Sequence, residues 1–585
     1  LDFQSGRTAS TMNFLETILS NLEQTPDKTI FQEVWGESLE PVKSFQILEW
    51  IGQARYSLRK AGLKYGDRCA LFGFNSSRWV AINLAIMVEG AIAVPLYSRQ
   101  APGELIAMLK DCTASLLCCQ DESLSEVIRS RWTNTPTILH FSQILEETSE
   151  KIGPRTVTPE VKGTIDNQQW GPETMGTRKT TVAKASVVTI IYTSGTSGEP
   201  KGVMLNVRNI DFMLQQTTIR LEELMQESPK TEDDRIFHYL PFCFAGSWIM
   251  LLTCLYRNNC LMMSTDLNNL ANELKVARPH YVLNVPALLE RIRTSVGTKI
   301  RNKGGIGWFL FNRGQSAWLR QYNNERGVLD FFWLALSERL VFSKIRMRLG
   351  PNLRALICGS APLADETQLF FQMLGIPVLQ VYGLTETTAI CTMDDIHQVT
   401  AGRVGPAIPD TDMILDKSGE IWVRGPHIFP GYWNRPVATA AMIRDGWLRT
   451  GDQGEVDNRG NWKIIGRIKN VLITSGGHNI SPEPIERMLL AILSGGVQVM
   501  VVGNGRKFLV AILAGPLDQE AATWALDQIN QQLPHYQQVR RFHLATELFS
   551  IENGLLSANG KQRRASIEAH YHSEINALYQ DQHSK

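Results

Sequence analysis

The chain has 585 residues, 43% apolar and 20% charged; these are ordinary globular proportions, but the length exceeds what one hydrophobic core serves, so at least two domains are expected. Lys+Arg (59) nearly balance Asp+Glu (58) for a net charge of +1, which leaves no global field to attract nucleic acid. The nine cysteines form no CxxC pair, suiting neither a zinc site nor a disulfide framework and fitting a reducing, cytoplasmic setting.

The first residues, LDFQSGRTAS, read as a protease-site remnant and linker, so residues 1–11 are set aside and the natural chain is expected to start near Met12. From Gly66 to Glu122 short apolar runs alternate with helical patterns. Cys69 to Phe74 reads as a strand, Ser77 to Glu89 as a helix capped by Asn75 or Ser76, and Ala91 to Tyr97 as a second strand. Gly103 to Asp111 reads as a helix and Ala114 to Gln120 as a third strand. This repetition predicts α/β layers around a largely parallel sheet. Glu147 to Thr180 is polar and rich in Pro and Gly, hence a surface excursion. Ala185 to Tyr192 is β-branched and apolar, hence a buried strand. Beyond Arg467 a small α+β unit is expected, with strands at Val497 to Gly503 and Lys507 to Gly515 and a helix over Ala521 to Leu533. No apolar run reaches the roughly 18 residues that span a bilayer; an interfacial membrane contact stays open.

Four loops carry the chemistry. TSGTSGEPKG, Thr193 to Gly202, lies between two apolar runs. Its glycines permit tight backbone geometry, and the hydroxyls of Thr193, Ser194, Thr196 and Ser197, the loop amides and Lys201 can all donate to phosphate. It is not a Walker loop, because Gly202 follows Lys201; against a plain Gly/Ser turn, the lysine and bounding strands favour phosphate. QVYGLTETT, Gln380 to Thr388, ends an apolar run, and strand C-termini are where open α/β sheets bind ligands. There Tyr382 offers a face to a base, Thr385 a hydroxyl and Glu386 an oxygen ligand for Mg²⁺. CGSAP, Cys358 to Pro362, could line the base with backbone. In DGWLRTGDQGEV, Asp452 reads equally as a carboxylate for two ribose hydroxyls or as a turn former between Gly451 and Gly454. Nothing local marks Lys561 in NGLLSANGKQRR as more than a solvated lysine.

TSGTSGEPKG, VYGLTE, TGD, GRIKN and ANGK, in this order, resemble the adenylate-forming enzymes: acyl-CoA synthetases, nonribosomal peptide adenylation domains and firefly luciferase. GRIKNVLITSGGHNISPEPIE (Gly466 to Glu486) and the aromatic-rich segment between Asn284–Ile292 and Leu353–Leu363 make the chain look like the long-chain fatty acyl-CoA synthetases, bubblegum type included. The resemblance implies a large N-terminal domain (12–466) of layered sheets and helices, and a small mobile α+β C-terminal domain (467–585). It implies that ATP activates a fatty acid to acyl-AMP, which passes to the thiol of coenzyme A, with Mg²⁺ assisting. A separate carrier protein as acceptor, or a silent acyl- or nucleotide-binding protein, are the alternatives.

The roles carried over are these. Thr193, Ser194, Gly195, Thr196, Ser197, Gly198 and Lys201 would hold the β- and γ-phosphates. Gly359, Ser360, Ala361 and Pro362, with Gln380, Val381 and Tyr382, would frame adenine, beside Gly383 and Leu384. Thr385 would bind the α-phosphate and Glu386 the metal. Asp452 and Arg467 would hold the ribose, with Ile464 packed nearby. Lys469 matches the hinge, Gly476 and Gly477 the loop facing the thiol tunnel, and Lys561 the lysine bridging carboxylate and α-phosphate. The chain departs from the pattern at Phe244, where many relatives have His, which puts a polar contact to the carboxylate in question. Trp248 resembles a tryptophan gating the fatty-acid tunnel, or else both aromatics are core. Arg301 to Gly350 holds nine Lys/Arg against three Asp/Glu, and nine aromatics. It reads either as an interfacial, membrane-facing surface or as helices packing their aromatics inward with arginines in solvent.

Overall fold

The computed structural model describes residues 12–145, 183–194, 200–225, 234–493, 496–557 and 560–580. Its first sheet has six strands in the spatial order Thr137–His140, Leu116–Cys119, Arg68–Phe72, Ile92–Leu96, Val187–Ser194 and Pro200–Asn206. All neighbours pair in parallel except the last two, which form a hairpin. Between the first strands run the helices expected from the sequence, Ser77–Val88 and Pro102–Asp111. Ser76 is the cap of the former, its hydroxyl accepting from the Trp79 amide at 3.2 Å.

The second sheet has eight strands, in the order Thr392–Met393, Val378–Tyr382, Ala355–Cys358, Tyr281–Asn284, Arg235–His238, Cys260–Ser264, Thr29–Trp35 and Ser38–Lys43. Its six inner strands are parallel and its two edges antiparallel. The helix Ser77–Val88 is buried on every face apart from Arg78, as its near-continuous apolar sequence requires. One core contains this helix, parts of both sheets, and the helices Phe14–Gln24, Ser44–Lys60, Val207–Met225 and Ala245–Tyr256. At the start of Phe14–Gln24, Asn13 accepts from the Leu15 and Glu16 amides, and Glu16 accepts from the Asn13 amide at 3.0 Å. This capping box fixes where the helix begins.

A third, antiparallel sheet is built from Asp412–Leu415, Glu420–Arg424, Ile443–Arg444, Trp447–Val456 and Trp462–Arg467. After Arg467 comes a three-stranded sheet, Gln498–Val502, Leu509–Ala514 and Val539–Ala545, with helices on both faces. Alternation along its strands divides two cores. Val499, Val501, Leu509, Ala511 and Leu513 pack toward Pro482–Leu493 and Gln519–Asn530; Met500, Val502, Val510 and Ile512 pack toward Arg564–His570 and His572–Tyr579. The architecture is α/β, with a large layered N-terminal part and a smaller C-terminal α+β part. The polar excursion read at Glu147 to Thr180 lies outside the described residues.

Candidate active site

The glycine-rich loop closes a hairpin. Val187–Ser194 and Pro200–Asn206 pair antiparallel, with Thr193 opposite Lys201 and Ser194 opposite Pro200. Gly195, Thr196, Ser197, Gly198 and the Ser194 side chain lie outside the described residues. Lys201 is anchored: its ammonium stands 5.2 Å from the centroid of the Tyr432 ring, a cation–π distance. The Tyr432 segment is laid along the hairpin by backbone, since the Trp433 amide donates to Gly202 O at 2.8 Å and the Met204 amide to Gly431 O at 3.2 Å.

The Tyr432 hydroxyl in turn donates to Glu386 Oε1 at 2.6 Å. Thr385 and Glu386 form a short turn just beyond the strand Val378–Tyr382. The chain folds back on itself here: a Cβ on Gly383 would lie 2.2 Å from Ala389 O, so only glycine fits. Thr388 and Ala389 adopt φ of 50° and 95°, and the Thr388 hydroxyl donates to His427 O at 2.7 Å. The turn is thereby held with Glu386 against Tyr432. The neighbouring strand Ala355–Cys358 ends in Gly359, whose Cβ position is 2.6 Å from Val381 Cγ2. Ser360, Ala361 and Pro362, which follow this close approach, are exposed. Ser360 takes a left-handed φ of 73°.

Asp452 is not in a turn. It lies within the strand Trp447–Val456, directly opposite Arg467 on Trp462–Arg467. Its buried carboxylate accepts from Arg467 Nε at 2.6 Å on one oxygen and from the Tyr382 hydroxyl at 2.7 Å on the other. Burial pushes this carboxyl above the usual aspartate range, against the pull of Arg467, Tyr382 and Lys561. The expectation that Tyr382 offers an open face also needs correction: the ring is buried in a cluster with Cys391, Val404, Ile421, Val423 and Trp462, with Ile464 against it. Gln380 is likewise turned inward, donating to Gln368 Oε1 at 2.8 Å, and its carbonyl accepts from the Asp394 amide at 3.0 Å. Its amide donates at 2.8 Å to Asp394, whose carboxyl burial pushes up to about 8.

Lys561 approaches this cluster from a loop near the end of the C-terminal part. Its loop is closed by Ser557, whose amide donates to Lys561 O at 2.8 Å and whose hydroxyl accepts from the Lys561 amide at 3.1 Å. Lys561 is exposed. Its ammonium is held below the usual lysine range by lost hydration and by Arg467, against the pull of Asp452 and Glu386. Lys561 and Arg467 thus place two positive charges in the same neighbourhood as Asp452 and Glu386. Two contacts were not legible as site residues in the sequence. Arg563 pairs with Glu104 of the N-terminal part at 2.8 Å, and Arg564 with the buried Glu486 at 2.8 Å. Together they tie the segment just after Lys561 to the N-terminal part and to the helix Pro482–Leu493.

Phe244 caps the helix Ala245–Tyr256 and contacts the Tyr97 ring at 5.8 Å. Trp248 is fully buried, its Nε1 donating to Asn83 Oδ1 at 3.1 Å; in this conformation it is core. Gly476 and Gly477 lie in an exposed turn between the short strands Leu472–Ile473 and Asn479–Ile480. Lys469 is exposed in the turn Ile468–Asn470, which follows Arg467 directly. Among the described residues no group of three or more His, Cys, Asp or Glu is arranged to hold a metal. A single carboxylate, Glu386, suits Mg²⁺ that takes its remaining ligands from phosphates and water.

Comparison with known proteins places this geometry. The profile of the AMP-binding enzymes matches residues 21–433, and that of the AMP-binding enzyme C-terminal domain matches 469–583. The chain is similar to the long-chain-fatty-acid–CoA ligase FadD15 of Mycobacterium bovis, at 26% identity over 97% of each chain. It is similar to long chain acyl-CoA synthetase 3 of Arabidopsis thaliana, at 27% identity over 89% of this chain and 84% of that one. Its fold matches that of o-succinylbenzoate coenzyme A synthetase from Bacillus subtilis, solved with ATP and a magnesium ion, with a TM-score of 0.69 at 19% identity over 94% of this chain and 99% of that one. With the first profile covering well over half of the chain and the second nearly all that follows Lys469, the protein belongs to the AMP-binding enzyme family.

Proposed function

We propose that the protein is an AMP-forming acid–thiol ligase that activates a medium- or long-chain fatty acid with ATP and transfers it to coenzyme A. The observation that carries this reading is the joining of Asp452 to Arg467 and Tyr382 and of Glu386 to Tyr432 and Lys201, with the Lys561 ammonium near enough to act on both carboxylates.

A carboxylate is a poor acyl donor because its leaving group would be oxide. Attack of a carboxylate oxygen on the α-phosphate of ATP breaks the bond to pyrophosphate and forms acyl-AMP, whose leaving group is AMP. Two anions must approach, so the step needs positive charge placed in advance. Lys561 and Arg467 supply it where attack occurs; Lys201 and the hairpin loop hold the departing phosphates. A Mg²⁺ held by Glu386 and the phosphates would neutralise further charge. Asp452, already oriented by Arg467 and Tyr382, receives the ribose hydroxyls.

Attack by the thiol on acyl-AMP then needs access from which Lys561 is withdrawn. Turning of residues 467–585 about Lys469 provides it and brings Gly476 and Gly477 toward the thiol. A peripheral membrane contact suits a substrate that partitions into bilayers. The test is carboxylate-dependent ATP–pyrophosphate exchange across a panel of fatty and aryl acids, then product analysis with coenzyme A against a holo-carrier protein. Exchange that peaks with fatty acids, and a coenzyme A thioester product, support the reading. Exchange with no acid would favour a silent binding protein, and product on the carrier alone a carrier-loading enzyme.

A further inference from the structure

The segment following Pro286–Lys303 is a helical excursion: Gly305–Tyr322, Asp330–Ser337, a π-turn over Glu338–Phe342, and Ser343–Leu349. Its inner face is packed. Phe311 and Phe342 are buried and meet edge to face at 6.0 Å, and Phe311 reaches Phe370 at 6.5 Å. Ser337 Oγ donates to Leu310 O at 2.8 Å, where its helix passes Gly314. Trp308, Trp318 and Trp333 pack partly against this core. To that extent the aromatics serve structure.

The outer face is different. At the turn between the two longer helices Val328 is 99% exposed, Leu329 66%, Phe331 69% and Phe332 56%, and the exposed Phe309 meets the Trp333 ring at 5.7 Å. Four consecutive large apolar positions, interrupted only by Asp330, are held out into solvent. The interruption explains how. Asp330 turns inward, accepting from Arg320 Nε at 3.0 Å and from the Gly327 amide at 2.7 Å. The turn is therefore braced in this shape. Contiguous exposed apolar surface of this kind marks an interaction site. Cations frame it: Arg313 lies over Phe309 and Trp333, and Arg326 over Phe331. Two of the three acidic residues of Arg301–Gly350 are already in ion pairs within it, Asp330 with Arg320 and Glu338 with Arg346.

We propose that the turn Gly327–Phe332 is a wedge that inserts into the surface of an anionic lipid bilayer, with Arg313 and Arg326 meeting the headgroups. Protruding Val, Leu and Phe side chains match the acyl boundary, and guanidiniums at their rim match lipid phosphates, the arrangement of an interfacial anchor. A protein partner would need its own apolar pocket, whereas a bilayer asks only for protrusion and positive charge. The face belongs to the helices that pack on Phe370 and Phe371, just after the Gly359–Pro362 loop. The anchor gives the fatty-acid reading a source of substrate, but lipid binding is measured without ATP or acid and stands or falls apart from that reading.

The experiment is co-sedimentation of the full chain with vesicles of phosphatidylcholine alone and with added phosphatidylglycerol. Binding should rise with phosphatidylglycerol and fall as salt is added. Each basic side chain at such a surface is worth about a fivefold change in partitioning, so Arg313→Glu with Arg326→Glu should lower it by about 25-fold or more. Val328→Asp with Phe332→Ser should abolish insertion. Arg320 is left intact, because changing it would release Asp330. Pyrophosphate exchange with a water-soluble short acid, unchanged in these variants, shows that the fold is kept. Binding that ignores lipid charge and all four substitutions would overturn the proposal. So would a wild-type dimer that falls apart in the wedge variant while neither protein binds vesicles, which would assign the face to a second copy of the chain.

Discussion

Breaking the ion pair between Glu104 and Arg563 should slow adenylation while leaving thioester formation from supplied acyl-AMP intact. The pair spans 2.8 Å, and its side chains are 31% and 32% exposed. Pairs open to solvent are worth about 0.2–1 kcal/mol; partial burial, and the further contact of Glu104 with Gln100 at 2.6 Å, place this one near the top of that range, at about 1 kcal/mol. If it exists only when Lys561 faces Arg467, its loss multiplies that arrangement's equilibrium by about one fifth. An arrangement populated at about 90% would fall to about 64%, and one at about 50% to about 17%. Pyrophosphate exchange should thus drop by a factor of about 1.4 to 3 in Glu104→Ala and in Arg563→Ala alike. The double variant should lose no more than either single one, and the swap Glu104→Arg with Arg563→Glu should recover most of the rate. A coupling in the double-mutant cycle below about 0.2 kcal/mol, or equal losses in both half-reactions, would refute the reasoning.

Lys561→Ala should cost adenylation about 10²–10³-fold, the size of one preorganised donor to developing charge, with transfer from supplied acyl-AMP far less affected; a single-turnover assay of each half-reaction distinguishes the two. Lys469→Pro, by fixing φ and removing an N–H, should leave acyl-AMP forming and accumulating while transfer to thiol fails, and a folded variant that transfers normally would remove the hinge. Asp394 holds its proton to about pH 8 in the folded protein but only to about pH 3.9 unfolded. Its contribution to stability is therefore lost as pH rises from about 4 through about 8. Asp394→Asn should make thermal unfolding less sensitive to pH in that window, and an unchanged Tm–pH slope would show the carboxyl to be ionised.

Where the sequence repeats one pattern locally, the fold was legible: the strands and helices from Arg68 to Cys119 fall within two residues of the expected bounds. Alternation of apolar residues and the turn residues between them suffice there. The site was legible as motifs and less so as geometry. Asp452 reads as a turn residue because Gly451 and Gly454 flank it, but a strand partner carrying Arg467 draws it into a sheet, which no local pattern announces. Tyr382 and Gln380 end a strand where ligands bind, but their side chains turned to Asp452 and Gln368, partners 70 and 12 residues away. Trp248 sits on a helix buried on nearly every side, so its apolar neighbours already pointed to core. Tyr432, Glu104 and Arg563 were missed because each matters only through a residue distant in sequence.

The pairing of Asp452 with Arg467 has a consequence for how the enzyme handles AMP between its two steps. Arg467 stands two residues before Lys469, about 7 Å of chain at most, whereas Lys561 comes after the whole three-stranded sheet in chain order. If the C-terminal part turns about Lys469, the arginine, next to the pivot, would move little, and the lysine, on the turning part, would be free to leave. Such a turn would carry the lysine away from the α-phosphate while the ribose end of the nucleotide stayed with Asp452 and Arg467. The acyl-adenylate would then stay moored at one end as the machinery around its other end is exchanged, so damage at Arg467 should be felt in both half-reactions and damage at Lys561 in only one.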